Sequence, residues 1–313
     1  MQQLSMPFPY FGAKRQAAPL VWQALGDPDR YIEPFCGTAS VLLARPHARC
    51  DYSEVINDAS GAIVNTLRSI QYHPDKVAKW CRGPICEAGI HAYGAWLHGY
   101  IDKDFILWLE GDPEHCDPKA AARFIVEQSA TIGGTAARGP WRSVDGVLTK
   151  GQPNSGIARS IPNTSRRCGV FRASDDIAAT MEAISRRLER VCITCGDWRR
   201  VVKPSVTGSG SRRGNPSVGI FLDPPYATSP DVYPGASADI SAQVRRWCLE
   251  APAEYRIVLC GYLDECDELL AHGWRKVAWT ASRGRSSAPG ASRRERLWLS
   301  PSRLGEAASL IAS

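Results

Sequence analysis

The chain has 313 residues, a formal net charge of +6 and 44% hydrophobic residues, which suits one large domain or a core with an inserted lobe. No apolar stretch is long enough to span a bilayer and no export signal opens the chain, so we expect a cytoplasmic protein. The 11 cysteines favour a reducing compartment. Cys192 and Cys195 have ligand-like spacing but no matching second pair, so we expect them buried in a strand, and no metal.

The positive charge is concentrated in two segments. Arg138 to Arg172 carries a net charge of +6 and Arg275 to Arg303 a net charge of +7, so the rest of the chain sums to −7. Two basic segments on an otherwise acidic protein favour a polyanion partner such as DNA, because phosphate contacts displace counterions. A solvated loop is the alternative for either segment alone. The candidate DNA-binding residues are Arg138, Trp141, Arg142, Lys150, Arg166, Arg167, Arg283, Arg285, Arg293 and Arg294.

The first part of the chain predicts a strand, a turn and a helix. A helix should include Pro19 to Leu25, and a strand should follow from Tyr31 to Phe35. Small residues from Cys36 to Ser40 then turn the chain into a helix that begins near Val41. Such a unit forms a pocket for a nucleoside ligand, because its backbone N–H groups can bind the ligand and its small residues let the ligand lie close to the backbone.

Asp58 follows a second predicted strand, Tyr52 to Ile56. In folds of this kind an acid at that distance binds the hydroxyls of a ribose. Asp58 is also a candidate N-cap, because Ile63, Val64 and Leu67 have helical spacing just after it. The two roles are compatible.

The alternation of strands and helices stops between residues 71 and 174. Asp117 and Pro118 predict the N-cap and first turn of a helix that continues through Gln128. After Ile132 the sequence has little periodicity and is rich in glycine, arginine, serine and asparagine. We interpret residues 71–174 as an inserted DNA target-recognition lobe, helical first and then loop-rich, and residues 1–70 and 175–313 as the catalytic core.

The alternating pattern resumes after the lobe. A helix at Ile177 to Leu188 precedes a strand at Val191 to Thr194, which leads to Asp197 and Trp198. A flexible connection is expected from Ser205 to Ser217. The remaining predicted elements are a strand at Val218–Leu222, a helix with Ile240, Val244 and Trp247, a strand at Arg256–Cys260, a short helix near Leu269, and closing strands at Val277–Ala281 and Arg296–Leu299.

Asp223, Pro224, Pro225 and Tyr226 come directly after the apolar run Val218–Leu222. The amino group of adenine is a poor nucleophile, because its lone pair is delocalised into the ring. An enzyme must therefore accept its N–H hydrogens, here with the Asp223 carboxylate and the Pro224 carbonyl, which the prolines hold in place. Tyr226 would stack on a base pulled out of the duplex. A simple turn after a strand is the alternative.

Taken in order, these segments resemble the Dam-type DNA adenine-N6 methyltransferases. Pro9–Lys14 is similar to the N-terminal cofactor motif of that family, and Glu33–Ser40 to its main cofactor loop. The resemblance implies that Asp58 binds the ribose of S-adenosylmethionine and that Asp197 and Trp198 flank its adenine. The cofactor-binding residues that it implies are Tyr10, Lys14, Glu33, Pro34, Phe35, Gly37, Ser40, Asp58, Asp197, Trp198 and Asp223.

The resemblance also implies a fold and a reaction. The fold is α/β and Rossmann-like: a mostly parallel seven-stranded sheet with an antiparallel last strand, plus an inserted, mainly helical lobe. The reaction is site-specific methyl transfer from S-adenosylmethionine to N6 of an adenine flipped out of double-stranded DNA. Asp223–Tyr226 would be catalytic, S-adenosylhomocysteine the product, and a monomer the working form. The family usually has glycine where Ala13 and Ala39 stand.

Two alternatives remain open. Methyltransferases that act on RNA, on cytosine N4 or on protein glutamine use related tetrapeptides, although an acid at position 223 is typical of the adenine enzymes. The second alternative is a nucleic-acid-binding relative that has lost catalysis, which is suggested by the alanines that replace the family's usual glycines at positions 13 and 39.

Overall fold

The computed structural model describes residues 4, 6, 8, 14–47, 51, 53–82, 87–130, 141–144, 147–150, 177–208, 216–225, 238–279 and 295–302. Nine strands are described: β1 (Arg30–Glu33), β2 (Glu54–Asp58), β3 (Trp141–Val144), β4 (Val147–Lys150), β5 (Cys192–Cys195), β6 (Val218–Leu222), β7 (Arg256–Tyr262), β8 (Arg275–Ala278) and β9 (Glu295–Leu299).

Seven of these strands form one sheet with the order β5–β2–β1–β6–β7–β9–β8. β1 pairs in parallel with β2 and β6, and β6 pairs in parallel with β7. β9 is antiparallel to both β7 and β8. The mostly parallel, Rossmann-like α/β sheet with an antiparallel last strand, predicted from the sequence, is therefore confirmed. β3 and β4 form a separate antiparallel hairpin.

Ten α-helices lie in the described residues: α1 (Ala18–Leu25), α2 (Ser40–Leu43), α3 (Gly61–Tyr72), α4 (Pro74–Cys81), α5 (Glu87–Tyr100), α6 (Lys103–Gly111), α7 (Pro118–Ala130), α8 (Ile177–Leu188), α9 (Pro204–Thr207) and α10 (Ala238–Glu250). Short 3-10 helices cover Trp198–Arg200 and Asp267–His272. Among these helices, none has the length and apolar character needed to cross a membrane.

The helix starts follow from their capping residues. Asp117 Oδ1 accepts hydrogen bonds from the N–H groups of Lys119 (2.7 Å) and Ala120 (3.0 Å), so its predicted N-cap role is confirmed. The N-cap role expected for Asp58 is wrong. β2 runs two residues further than predicted and ends at Asp58, and Ser60 caps α3 by accepting from Ile63 N.

The chain divides into two compact units. The first comprises Met1–Ala13 and Asp58–Gly196, and the second comprises Lys14–Asn57 and Asp197–Ser313. In the first unit, both α3 and α4 pack on α7 and α8. In the second unit, every residue of β6 is buried, as expected for an inner parallel strand. The predicted lobe boundaries at residues 71 and 174 stay a prediction.

A buried arginine ties the first unit together. The Arg68 guanidinium donates to the carbonyls of Ile193, Leu109 and Asp112, at 2.9 to 3.1 Å. These carbonyls belong to β5 and to the end of α6, so one side chain of α3 joins three elements. Burial lowers the pKa of Arg68.

Two expectations need correction. The segment expected to be loop-rich contains the hairpin β3–β4, because Trp141–Val144 and Val147–Lys150 pair in register. Asp145 and Gly146 stand between them, and an Asp-Gly pair is a strong hairpin signal that the interpretation overlooked. Cys195 is buried in β5 as expected, but Cys192 is exposed at the start of that strand. No cluster of three metal-binding side chains occurs among the described residues.

Candidate active site

The candidate site lies in the second unit, where the order of the sheet reverses. β1 and β6 are neighbours, but the chain continues from β1 to β2 on one side and from β6 to β7 on the other. Ligands of open α/β sheets bind at such a switch point, beyond the carboxyl ends of the strands. The predicted cofactor loop Glu33–Ser40 begins at the end of β1, and Asp223 directly follows β6. The fold therefore brings the two principal motifs to one edge of the sheet.

Asp223 is held by a buried lysine. Lys14 Nζ lies 2.9 Å from Asp223 Oδ2, and only 4% of the Lys14 side chain is exposed. The Asp223 side chain is 16% exposed, Pro224 is buried and Pro225 is half-buried. The ion pair fixes one carboxylate oxygen, and the prolines fix the backbone that follows.

A third charged group completes this cluster. Glu295, the first residue of β9, has its Oε1 atom 3.6 Å from Lys14 Nζ and is 13% exposed. Burial raises the pKa of Glu295, the positive charge of Lys14 lowers it, and the negative charge of Asp223 raises it. The sequence interpretation missed Glu295, because nothing near position 295 indicates a partner as far away in the chain as Lys14.

The cofactor loop is held by hydrogen bonds to its backbone and to its first acid. Asn57, near the end of β2, donates to the carbonyl of Pro34 (3.0 Å) and accepts from Cys36 N (2.9 Å). Tyr31 Oη donates to Glu33 Oε2 (2.9 Å), and Glu33 is buried. These contacts hold the loop in one conformation at the carboxyl end of β1.

The turn of this loop uses left-handed backbone at two positions. Gly37 has φ 47°, which costs glycine little. Ala39 has φ 51° and ψ 33°, a conformation that L-residues with a Cβ adopt at a cost. Ala39 is also fully buried. Ala39 therefore keeps the backbone that the family's usual glycine favours.

Ser40 joins the loop to the Lys14 segment. Its Oγ atom accepts a hydrogen bond from Lys14 N at 3.1 Å. The backbone of Lys14 is thus attached to the cofactor loop, while its side chain is attached to Asp223. Lys14 therefore connects the cofactor loop with the acid that follows β6.

Asp197 and Trp198 differ in their surroundings. The Asp197 carboxylate accepts two hydrogen bonds from the Arg199 guanidinium, at 2.9 and 2.6 Å, and these bonds lower the pKa of Asp197. Trp198 is buried in the core, with its ring centroid 5.9 Å from that of Phe35 and 6.0 Å from that of Trp247. Phe35 is half-buried and is therefore more accessible than Trp198.

Asp58, in the first unit, is held locally. Its Oδ1 atom accepts from Ser60 N at 2.8 Å, which orients the carboxylate at the end of β2. The carbonyl of Asp58 accepts from Gly196 N at 3.0 Å.

Several predicted residues lie outside the described part of the chain. They are Tyr10, Tyr226, Arg138, Arg166, Arg167, Arg283, Arg285, Arg293 and Arg294. For Trp141, Arg142 and Lys150 the backbone is described, as part of β3 and β4. The DNA-contacting roles of these residues stay predictions.

Comparison with known families gives an independent test. Residues 10–95 match the model of the family described as D12 class N6 adenine-specific DNA methyltransferase. The resemblance to the Dam-type adenine methyltransferases is confirmed. This methyltransferase match includes Lys14, the loop Glu33–Ser40 and Asp58, and it supports adenine-N6 DNA methyltransferase activity in general. Asp223 and Glu295 lie beyond the matched residues. No curated protein matches the chain.

Proposed function

We propose that the chain transfers a methyl group from S-adenosylmethionine to N6 of an adenine flipped out of double-stranded DNA, at specific sites. The observation that carries the proposal is the position of Asp223. Its carboxylate directly follows the buried strand β6 and is ion-paired with Lys14, whose backbone is attached to the cofactor loop. The acid expected to bind the target amine and the loop expected to bind the cofactor thus share one edge of the sheet.

The residues of this edge fit S-adenosylmethionine. The turn at Gly37 and Ala39 leaves the backbone close to the carboxyl end of β1, and the half-buried ring of Phe35 offers an aromatic face for an adenine. The buried carboxylate of Glu33 provides a polar group beside them. When bound, S-adenosylmethionine supplies a methyl group on a positively charged sulfur, which needs no metal to be electrophilic.

The chemistry assigned to Asp223 is hydrogen-bond acceptance and charge stabilisation. Its carboxylate accepts one N–H of the adenine amino group, and the carbonyl of Pro224 accepts the other. Positive charge develops on this nitrogen during the reaction, and a fixed carboxylate stabilises that charge without reorganisation. Holding the amine in line with the methyl group is a large effect in its own right. Tyr226 stacks on the flipped base.

A basic and aromatic surface on the first unit supports a DNA partner. Lys119 Nζ lies 5.1 Å from the ring centroid of Trp80 and 5.8 Å from that of Trp96. Arg123 Cζ lies 3.7 Å from the ring centroid of Tyr93 and 5.5 Å from that of Trp80. Trp80 and Trp96 are more than a third exposed. Cations beside accessible rings suit contacts with phosphates and bases.

The experiment is substitution of Asp223 with alanine. We expect Asp223→Ala to abolish methyl transfer to DNA while calorimetry shows S-adenosylmethionine binding close to that of the wild type. Asp239→Ala, at an exposed acid of α10, is the matched control and should keep full activity. Full activity of Asp223→Ala refutes the assignment, and a wild-type chain without affinity for S-adenosylmethionine favours the non-catalytic alternative.

A further inference from the structure

Glu295 belongs to the charged cluster around Lys14, although no motif of the sequence marks it. The ammonium of Lys14 stands 2.9 Å from Asp223 and 3.6 Å from Glu295, and all three side chains are largely buried. In the register of the sheet Glu295 pairs with Tyr262, the last residue of β7. The Glu295 carboxylate, at the start of β9, therefore lies at the same edge of the sheet as Asp223, which follows β6.

The charge of this cluster bears on the reaction. Lys14 and Asp223 alone form a neutral pair, which is a poor partner for a nitrogen that becomes positively charged. With Glu295 ionised, the three side chains carry a net charge of −1. Charges this close and this buried are only weakly screened by salt. The second carboxylate thus restores the negative potential that Lys14 removes.

We propose that Glu295 is a positioning residue for the methyl transfer: its carboxylate balances and orients Lys14, so that Asp223 presents an uncompensated negative charge to the target amine. The inference rests on the proposed function and adds to it a residue outside the tetrapeptide and the cofactor loop. Glu295 acts through Lys14 and touches neither the base nor the methyl donor.

The neighbours of Glu295 define what its ionisation responds to. Lys14 comes from the segment before α1, and Asp223 comes from the end of β6. β7 places Tyr262 opposite, and the adjacent Arg296 donates to the carbonyl of Glu295 at 2.8 Å. Because burial raises its pKa, Glu295 ionises at higher pH than an ordinary glutamate. The rate of methyl transfer should therefore rise with pH as Glu295 loses its proton.

The test is a double-mutant cycle in the full chain, with single-turnover rates measured across pH. We expect Glu295→Gln to lower the rate constant about 10- to 100-fold, as removal of one charge close to a reacting centre does. Its affinity for S-adenosylmethionine and its thermal midpoint should stay near the wild-type values. The ionisation of Glu295 should disappear from the pH profile, and Glu295→Asp should restore most of the rate.

The cycle also separates action through Lys14 from a merely structural role. In a Lys14→Met background, Glu295→Gln should have no further effect, because the residue that it acts through is gone. An active wild type whose rate and pH profile are unchanged by Glu295→Gln overturns the inference alone, as do additive effects of the two substitutions. A wild-type chain that transfers no methyl group overturns the proposed function, and this inference with it.

Discussion

The left-handed backbone of Ala39 allows a matched stability experiment. Ala39 and Ala17 are the N-cap residues of α2 and α1, and both are fully buried. They differ in conformation: Ala39 has φ 51° and ψ 33°, whereas Ala17 has φ −76° and ψ −23°. Substitution of each alanine with glycine therefore changes the same chemical group in two backbone conformations.

Three contributions determine how much each substitution changes the free energy of unfolding. Either substitution removes one buried methyl group, worth about 0.8 kcal/mol, and frees the unfolded backbone by about 0.5–1 kcal/mol. Only Ala39→Gly also removes the left-handed cost of about 1–2 kcal/mol. We expect Ala17→Gly to lower the free energy of unfolding by about 1–2 kcal/mol, and Ala39→Gly to leave it nearly unchanged.

Urea denaturation followed by circular dichroism measures the difference directly, provided that the two variants share one denaturant slope. The reasoning predicts that Ala39→Gly unfolds at a higher urea concentration than Ala17→Gly, by an amount equivalent to about 1–2 kcal/mol. Equal losses in the two variants would show that the backbone at Ala39 is not strained. Calorimetry on Ala39→Gly should also show affinity for S-adenosylmethionine at least equal to that of the wild type.

Three further predictions concern the first unit. Arg68→Met should lower the free energy of unfolding by about 3–5 kcal/mol, because the carbonyls of Ile193, Leu109 and Asp112 lose a charged donor. A loss below about 1 kcal/mol in thermal unfolding contradicts this role of Arg68. Burial raises the pKa of Glu127 to about 7, so stability is lost as pH rises through 7, and Glu127→Gln should gain about 3 kcal/mol over the wild type between pH 5 and 8; a pH-independent difference refutes this. Lys119→Ala should weaken DNA binding and reduce the slope of log affinity against log salt by about 1, and an unchanged slope argues against a phosphate contact.

The elements with strong periodicity were predictable from the sequence. The continuous apolar run of β6, the helix α8 and the capped start of α7 are all where the sequence indicates. The place of Asp223–Pro225 at the end of an inner strand was predictable too, because the apolar run of β6 directly precedes it. Strand ends were less predictable, since β2 continues to Asp58 while the apolar pattern stops at Ile56.

The parts that were not predictable depend on contacts between distant residues. Glu295 and Arg68 each have partners far along the chain, and neither lies in a local pattern that indicates the contact. The sequence showed that an alanine stands where the family usually has glycine. It could not show that Ala39 keeps the left-handed backbone, which only its φ angle of 51° reveals. The hairpin β3–β4 could have been found from its Asp-Gly pair.

The central claim is that Asp223 directs a methyl group to the amino nitrogen of adenine in DNA. The most direct measurement incubates the chain with S-adenosylmethionine carrying a tritiated methyl group and with unmethylated double-stranded DNA, and then analyses the nucleosides. The account predicts label in N6-methyladenine with the wild type and none with Asp223→Ala. Label in N4-methylcytosine, label that persists in Asp223→Ala, or no label with the wild type would contradict it.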